Sequence, residues 1–101
     1  MAQFRRAASI GELTEGKGKQ VEVEGQFLAL FRVDGKFYAI DNICIHQGGP
    51  LAEGVLEGTL ITCPWHAWKF DITTGTSPIN PNARCRTFPV KVEGDDLLVE
   101  V

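Results

Sequence analysis

Two short stretches carry most of the information about this sequence: CIHQGGPLAEG at residues 44–54 and CPWHAWKFDITTG at residues 63–75. The whole chain has only two histidines and three cysteines. Each histidine closely follows a cysteine, which gives the pattern C-x-H-x16-C-x2-H from Cys44, His46, Cys63 and His66. Two thiolates and two imidazoles supplied by two loops are a typical ligand set for a transition metal.

The grouping of these ligands narrows the choice of metal. A structural zinc site more often has its two cysteines together and its two histidines together. Here each loop supplies one sulfur and one nitrogen, so two facing loops could place both thiolates on one iron and both imidazoles on another. The residues alone therefore favour an iron–sulfur site, with mononuclear zinc as the main alternative.

The rest of the sequence has the pattern of an all-β protein. Short runs rich in Val, Ile, Phe and Leu alternate with turn signals, a spacing typical of a β-sandwich or barrel. Asp34–Gly35 lies between apolar runs at residues 27–33 and 36–40 and predicts a two-residue hairpin. In contrast, residues 42–58 have no strand pattern and read as one long loop, a feature that is usually functional or disordered.

Three further local patterns make testable predictions about the strands. Residues 87–93 alternate as one strand, which Pro89 should place at a sheet edge or a bulge. Residues 97–101 form a last strand. Ser9 and Glu12 have the spacing of a capping box around a single helical turn.

Length and charge limit the class of protein. The 101 residues fit a single domain, which we place at 1–101, with the metal-binding part at about 42–75. The net charge of −3 gives no basic surface for nucleic acid. No apolar run approaches the length of a membrane span. Arg5–Arg6 precedes no apolar segment of an export signal, so we expect a cytoplasmic protein.

The two stretches closely resemble the cluster-binding boxes of Rieske ferredoxins, the small carriers that serve bacterial ring-hydroxylating dioxygenases. The likeness extends weakly to the whole chain, since residues 88–92 match a Phe/Tyr-Pro-Val-Lys-Val strand of that family. Ala67 departs from the glycine that the family commonly has there. The resemblance implies a Rieske-type antiparallel β-sandwich or barrel, with a small cluster-binding subdomain formed by two loops and one [2Fe–2S] cluster.

The resemblance also implies a function. The chain would be a one-electron carrier, without catalysis of its own, that passes electrons from a flavin-dependent ferredoxin reductase to a terminal oxygenase. A substrate-oxidising oxygenase needs a second iron held by two histidines and a carboxylate, and both histidines are already assigned. Two alternatives remain: a small Rieske-like subunit of a nitrite reductase or another redox complex, and a zinc-stabilised interaction module.

Comparison with the Rieske proteins of respiratory complexes implies a low reduction potential. Those proteins have a disulfide between the cluster loops, at positions that match Gly49 and Trp65 here. They also have hydroxyl groups at positions that match Trp68 and Phe70. Because hydrogen bonds to cluster sulfurs raise the potential, we expect a value near the low end of the Rieske range, which runs from about −150 to +300 mV.

Other residues of the two boxes are expected to support the cluster. Gly48 and Gly49 allow close approach of the backbone, and Pro64 stiffens the chain after Cys63. Trp65 could form an apolar docking rim or pack over the cluster, whereas packing is favoured for Trp68. The cluster loops also include Gln47.

The third cysteine, Cys85, lies outside both boxes and is not assigned as a ligand. Its neighbours Arg84 and Arg86 could make the thiol reactive. A half-buried strand residue is the favoured interpretation.

Overall fold

A computed structural model describes residues 3–42, 51–64, 69–78 and 84–101. These ranges form ten strands and two 3₁₀ turns, Ile10–Glu12 and Leu51–Glu53. The strands are β1 (Phe4–Ser9), β2 (Gly18–Val23), β3 (Gln26–Val33), β4 (Lys36–Asp41), β5 (Val55–Glu57), β6 (Leu60–Thr62), β7 (Lys69–Asp71), β8 (Thr87–Phe88), β9 (Val90–Glu93) and β10 (Asp96–Glu100). Every pair of these strands is antiparallel, which confirms the predicted all-β fold.

The strands form three sheets. The first has the order β1-β10-β9, the second β2-β3-β4-β8, and the third β5-β6-β7. The third sheet belongs to the predicted metal-binding part of the chain. That part therefore has a small sheet of its own, in addition to the two loops expected from the sequence.

The second sheet, called the central sheet below, lies between two hydrophobic clusters because β3 is buried on both faces. Ala29 and Phe31 point to one cluster, which contains residues of β6 and β7. Leu28 and Leu30 point to the other, which contains residues of β1 and β10. Because successive side chains of a strand point to opposite faces, the uninterrupted apolar run of β3 contributes to both hydrophobic clusters. We call the cluster under the third sheet the lower core.

The predicted hairpin at Asp34–Gly35 is confirmed. Val33 pairs with Lys36, which leaves two residues in the turn. Both have positive φ, 53° at Asp34 and 76° at Gly35, as a type I′ turn requires. The Glu15 carboxylate accepts hydrogen bonds from both backbone N–H groups, at 2.6 and 3.3 Å.

The strand predicted at residues 87–93 is in fact two strands. β8 pairs with β4 in the second sheet, and β9 pairs with β10 in the first. Pro89 lies between them, where the chain leaves one sheet for the other. Because proline has no N–H to donate, it cannot continue a ladder, and the break falls at this residue.

Two other predictions have mixed outcomes. The 3₁₀ turn at Ile10–Glu12 begins after Ser9, whose N–H donates to the Glu12 carboxylate at 2.9 Å, which confirms the capping box. The long loop predicted at residues 42–58 is wrong in its second half. That half contains the turn Leu51–Glu53 and strand β5, whose exposed side chains hid the strand pattern.

Candidate metal centre

The second box lies on a hairpin of the third sheet. Thr62 at the end of β6 pairs with Lys69 at the start of β7, so residues 63–68 form the connection between the two strands. Cys63 follows β6 directly and is 1% exposed. Pro64 is exposed in the turn after it. An antiparallel pair thus flanks the first part of this box, residues 63–68, on both sides.

The first box follows β4 and contains the turn Leu51–Glu53 near its end. β4 ends at Asp41. Asn42 comes next and stays attached to the second sheet, because its N–H donates to the Phe27 carbonyl of β3 at 3.1 Å. Within the box, Leu51 at the start of that turn is fully buried. The chain is therefore buried at Asn42, before the box, and again at Leu51, inside it.

Asn42 joins the two ends of the first box. Its carbonyl oxygen accepts a hydrogen bond from the Leu51 N–H at 2.6 Å. Its side-chain Oδ1 accepts another from the Ala52 N–H at 2.9 Å. Its Nδ2 donates to Oε1 of Gln20, on β2, at 2.8 Å. The side chain of Asn42 is thus satisfied although the residue is only 1% exposed.

The ends of both boxes meet in the lower core. Leu51 and Ala52 from the first box belong to it, as do Cys63 and Phe70 from the second. The Cys63 side chain is thereby placed in apolar surroundings beside the turn that ends the first box. This arrangement is what a cluster bound between two loops would require at the base of its site.

A close backbone contact joins β5 and β6. A Cβ atom at Gly54 would overlap the carbonyl oxygen of Thr62, the residue before Cys63. Gly18 on β2 is similarly close to the Leu51–Glu53 turn, since its Cβ would lie 2.7 Å from the Ala52 carbonyl oxygen. Glycine at these two positions allows the third sheet and the first box to pack closely.

Several predicted site residues lie outside the part of the chain that the structure describes. Among the four predicted ligands, only Cys63 is within it. Among the supporting residues, Pro64 and Phe70 are within it, the first exposed and the second fully buried. The residues outside are Cys44, His46, Gln47, Gly48, Gly49, Trp65, His66 and Trp68.

Cys85 is more buried than predicted. It is 5% exposed and belongs to the lower core, outside any strand. Its N–H donates to the Gly75 carbonyl at 2.7 Å, and a Cβ at Gly75 would overlap the Cys85 carbonyl oxygen. Tight backbone contact with the end of the second box explains the burial, despite the charged neighbours in sequence.

An exposed ion pair joins β1 and β10 of the first sheet. Arg6 donates from Nε to Asp96 at 2.8 Å, and this hydrogen bond is the main reason that the pKa of Arg6 is raised. The members of the lower core, to which Cys63 belongs, are in contrast all hydrophobic residues or cysteines.

Sequence analysis did not assign a role to Asn42 or Gly54. Asn is common at the start of turns and loops, so its position alone does not mark Asn42 as a structural residue. Gly54 likewise does not stand out, because the predicted loop contains several glycines. The burial of Asn42 and the contact at Gly54 depend on strands distant in sequence, so only the three-dimensional structure reveals them.

Comparison with known proteins agrees with this geometry. Residues 3–94 match the model of the Rieske [2Fe-2S] domain. The chain belongs to the Rieske [2Fe–2S] domain family. It is therefore an electron-transfer protein with one Rieske-type cluster, and the donor set of two cysteines and two histidines fits that group.

Individual Rieske proteins show the same likeness over nearly the full length. The ferredoxin component of the naphthalene 1,2-dioxygenase system from Pseudomonas aeruginosa is 40% identical over 98 residues, which cover 94% of this chain and 92% of that one. The ferredoxin of carbazole 1,9a-dioxygenase from Nocardioides aromaticivorans IC177 has a TM-score of 0.89 and 30% identity, with 96% of both chains covered.

Two further structures bear on the possible roles. A chain in the complex of reduced oxygenase and oxidized ferredoxin in carbazole 1,9a-dioxygenase has a TM-score of 0.85 and 30% identity, with 94% of this chain and 99% of that chain covered. A putative NADH-dependent nitrite reductase small subunit from Mycobacterium tuberculosis has a TM-score of 0.91 but 22% identity, with 100% and 96% covered. The latter likeness shows the fold alone.

Proposed function

We propose that this chain binds its [2Fe–2S] cluster through Cys44, His46, Cys63 and His66 and passes single electrons from a flavin-dependent ferredoxin reductase to a terminal oxygenase. The two cysteines would hold one iron and the two histidines the other. When bound, the cluster supplies a site that accepts and releases one electron at a time.

The observation that carries this proposal is the shared base of the two boxes. Cys63 is buried at the end of β6, and Leu51 and Ala52 from the first box lie in the same core cluster. An apolar, water-poor base of this kind protects a thiolate-bound metal from solvent. Paired strands lie on either side of the second ligand segment, with Thr62 of β6 opposite Lys69 of β7.

The charge balance of the site suits a carrier of single electrons. An oxidised [2Fe–2S] core contributes about +2 and its two thiolates −2, so the complete site is neutral. Reduction by one electron makes it −1. A single buried charge costs less when backbone N–H groups surround it, and the glycines of the first box, Gly48 and Gly49, would allow that approach.

The partners are proposed from the relatives. Naphthalene and carbazole dioxygenase systems include ferredoxin components at 40% and 30% identity, and the related carbazole structure is a complex of oxygenase and ferredoxin. These relatives favour an oxygenase as electron acceptor. The nitrite-reductase alternative has support only at the level of the fold.

We further propose that the chain acts without catalysis of its own, as one domain in the cytoplasm. Its only two histidines are assigned to the cluster, which leaves none for a second, substrate-oxidising iron. No described helix is long and apolar enough to cross a membrane.

The ligand assignment can be tested with two cysteine variants. Cys63→Ser should abolish the cluster, because serine replaces a thiolate ligand at the base of the site. Cys85→Ser, also in the lower core, should retain about two irons and two sulfides per chain. The measurement is iron and acid-labile sulfide per chain after anaerobic purification.

A functional assay extends this test to the partners. Reduced wild-type protein should support turnover of a purified naphthalene-type terminal oxygenase, and Cys85→Ser should do so equally well. Cys63→Ser should support none. A cluster that survives in Cys63→Ser, or is lost only in Cys85→Ser, would contradict the assignment, and zinc without sulfide in wild type would favour the interaction module instead.

A further inference from the structure

Asn42 is one of the two buried polar residues among those that the structure describes, and it makes four hydrogen bonds. Two connect it to strands β3 and β2: its N–H donates to the Phe27 carbonyl at 3.1 Å, and its Nδ2 donates to Oε1 of Gln20 at 2.8 Å. Two connect it to the far end of the first box, through Leu51 at 2.6 Å and Ala52 at 2.9 Å.

These contacts close the first box at its base. Residues 42 and 51 are held together by the backbone bond, and the side chain adds a second bond one residue further on. Gln20 and Phe27 lie on β2 and β3, which pair over all six residues of β2 in the central sheet. The ends of the loop are therefore attached directly to this sheet.

We propose that Asn42 is a positioning residue for the cluster: its side chain fixes the spacing between the two ends of the loop that carries Cys44 and His46. This inference rests on the proposed ligand set. A loop with fixed ends has fewer conformations available, so its two ligands meet the iron with less ordering of the chain.

The chemistry of the amide explains why this side chain is suited to the role. Oδ1 accepts from a backbone N–H while Nδ2 donates to Gln20, so one residue joins the loop to β2. Alanine would leave the buried Ala52 N–H without this acceptor, a costly change. Aspartate would keep the acceptor, and the exposed Gln20 amide could rotate to donate to it.

The first measurement compares cluster release in wild type, Asn42→Ala and Asn42→Asp. Visible absorbance of each anaerobic holoprotein is followed after addition of an iron chelator, and the EPR spectrum of the reduced form is recorded beforehand. We expect Asn42→Ala to lose its cluster about tenfold faster than wild type and to give broadened EPR lines. Asn42→Asp should stay within about threefold of wild type, with narrow lines.

Val99→Ala is the matched control for loss of stability. Val99 is fully buried on β10, in the core cluster on the opposite face of the central sheet. Its truncation should lower the melting midpoint but leave the release rate and the EPR lines as in wild type at a temperature well below melting. A faster release confined to Asn42→Ala would therefore report loop positioning and not general destabilisation.

Unchanged release and EPR lines in Asn42→Ala would overturn the inference, as would equal effects of Asn42→Ala and Val99→Ala. Should Asn42→Ala fail to fold, Gln20→Leu replaces it: Gln20 is exposed, and loss of its bond to Nδ2 frees the Asn42 amide to turn Oδ1 away from the Ala52 N–H, so release should again be faster than in wild type. Release at the wild-type rate in that variant would count against the role. Absence of iron and sulfide from wild type would instead contradict the proposed ligand set.

Discussion

Phe70 is fully buried on β7 and shares the lower core with Cys63. Its ring shares that core with a proposed ligand and has no hydroxyl to offer a cluster sulfur. Rieske proteins of respiratory complexes, which the two boxes resemble, have a hydroxyl at the matching position. We expect a low reduction potential from the absence of hydroxyls at Phe70 and Trp68, because a hydrogen bond to sulfur stabilises the more negative, reduced cluster.

Phe70→Tyr should raise the reduction potential of the cluster. One hydrogen bond to a charged group contributes about 1.5 kcal/mol, and a tenfold change in a one-electron equilibrium corresponds to about 59 mV. We therefore expect an increase of about 60 mV in a spectroscopic redox titration.

Phe37→Tyr is the matched control for this change. Phe37 is half-buried on β4, where Arg32 lies over its ring, and it packs against the core cluster opposite the boxes. Its substitution should leave the potential unchanged. A potential that is unchanged or lowered in Phe70→Tyr would contradict the proposed role of this position in setting the potential.

Strands β5 and β6 form the element that holds Cys63 at the end of a short sheet. Their pairing from Val55–Thr62 to Glu57–Leu60 depends on the close contact at Gly54, where a Cβ would overlap the Thr62 carbonyl. The third sheet has short strands, so a local distortion has few neighbouring hydrogen bonds to compensate for it.

Gly54→Ala should destabilise the protein because the new methyl group forces β5 and β6 apart. Overpacking of this kind costs about 2 kcal/mol, which should be visible as a lower midpoint in denaturant unfolding of the holoprotein. Gly11→Ala, where nothing lies within 4 Å of the new Cβ and φ is not positive, should change the midpoint little. Equal midpoints for the two variants would contradict the contact.

The elements differ in how well the sequence predicts them. The hairpin at Asp34–Gly35 is predictable because its two turn residues and its flanking strands are contiguous in the chain. The division of residues 87–93 into two strands is not predictable from the sequence. β8 and β9 pair with strands of different sheets, yet apolar and polar residues alternate without a break through Pro89. Strand β5 is missed because two of its three residues are exposed. A single inward side chain, Leu56, is too little to give the alternating apolar pattern of a strand.

At the scale of the whole molecule, the central sheet separates two hydrophobic cores. The core on one face includes residues of β1 and β10, the paired first and last strands, whereas the lower core on the other face includes residues of both ligand boxes. The four proposed ligands are assigned from the sequence, from their residue types and spacing, and this assignment stays a prediction. The bonds of Asn42 are not predictable, since they join residues 20, 27, 42, 51 and 52 through the folded sheet.

The central claim, a Rieske cluster bound by two cysteines and two histidines, is tested most directly by EPR of anaerobically purified protein before and after dithionite, with iron and sulfide measured on the same sample. The account predicts about two irons and two sulfides per chain, no signal when oxidised, and a rhombic low-g signal when reduced. Bound zinc without sulfide and without a signal in either state would contradict it.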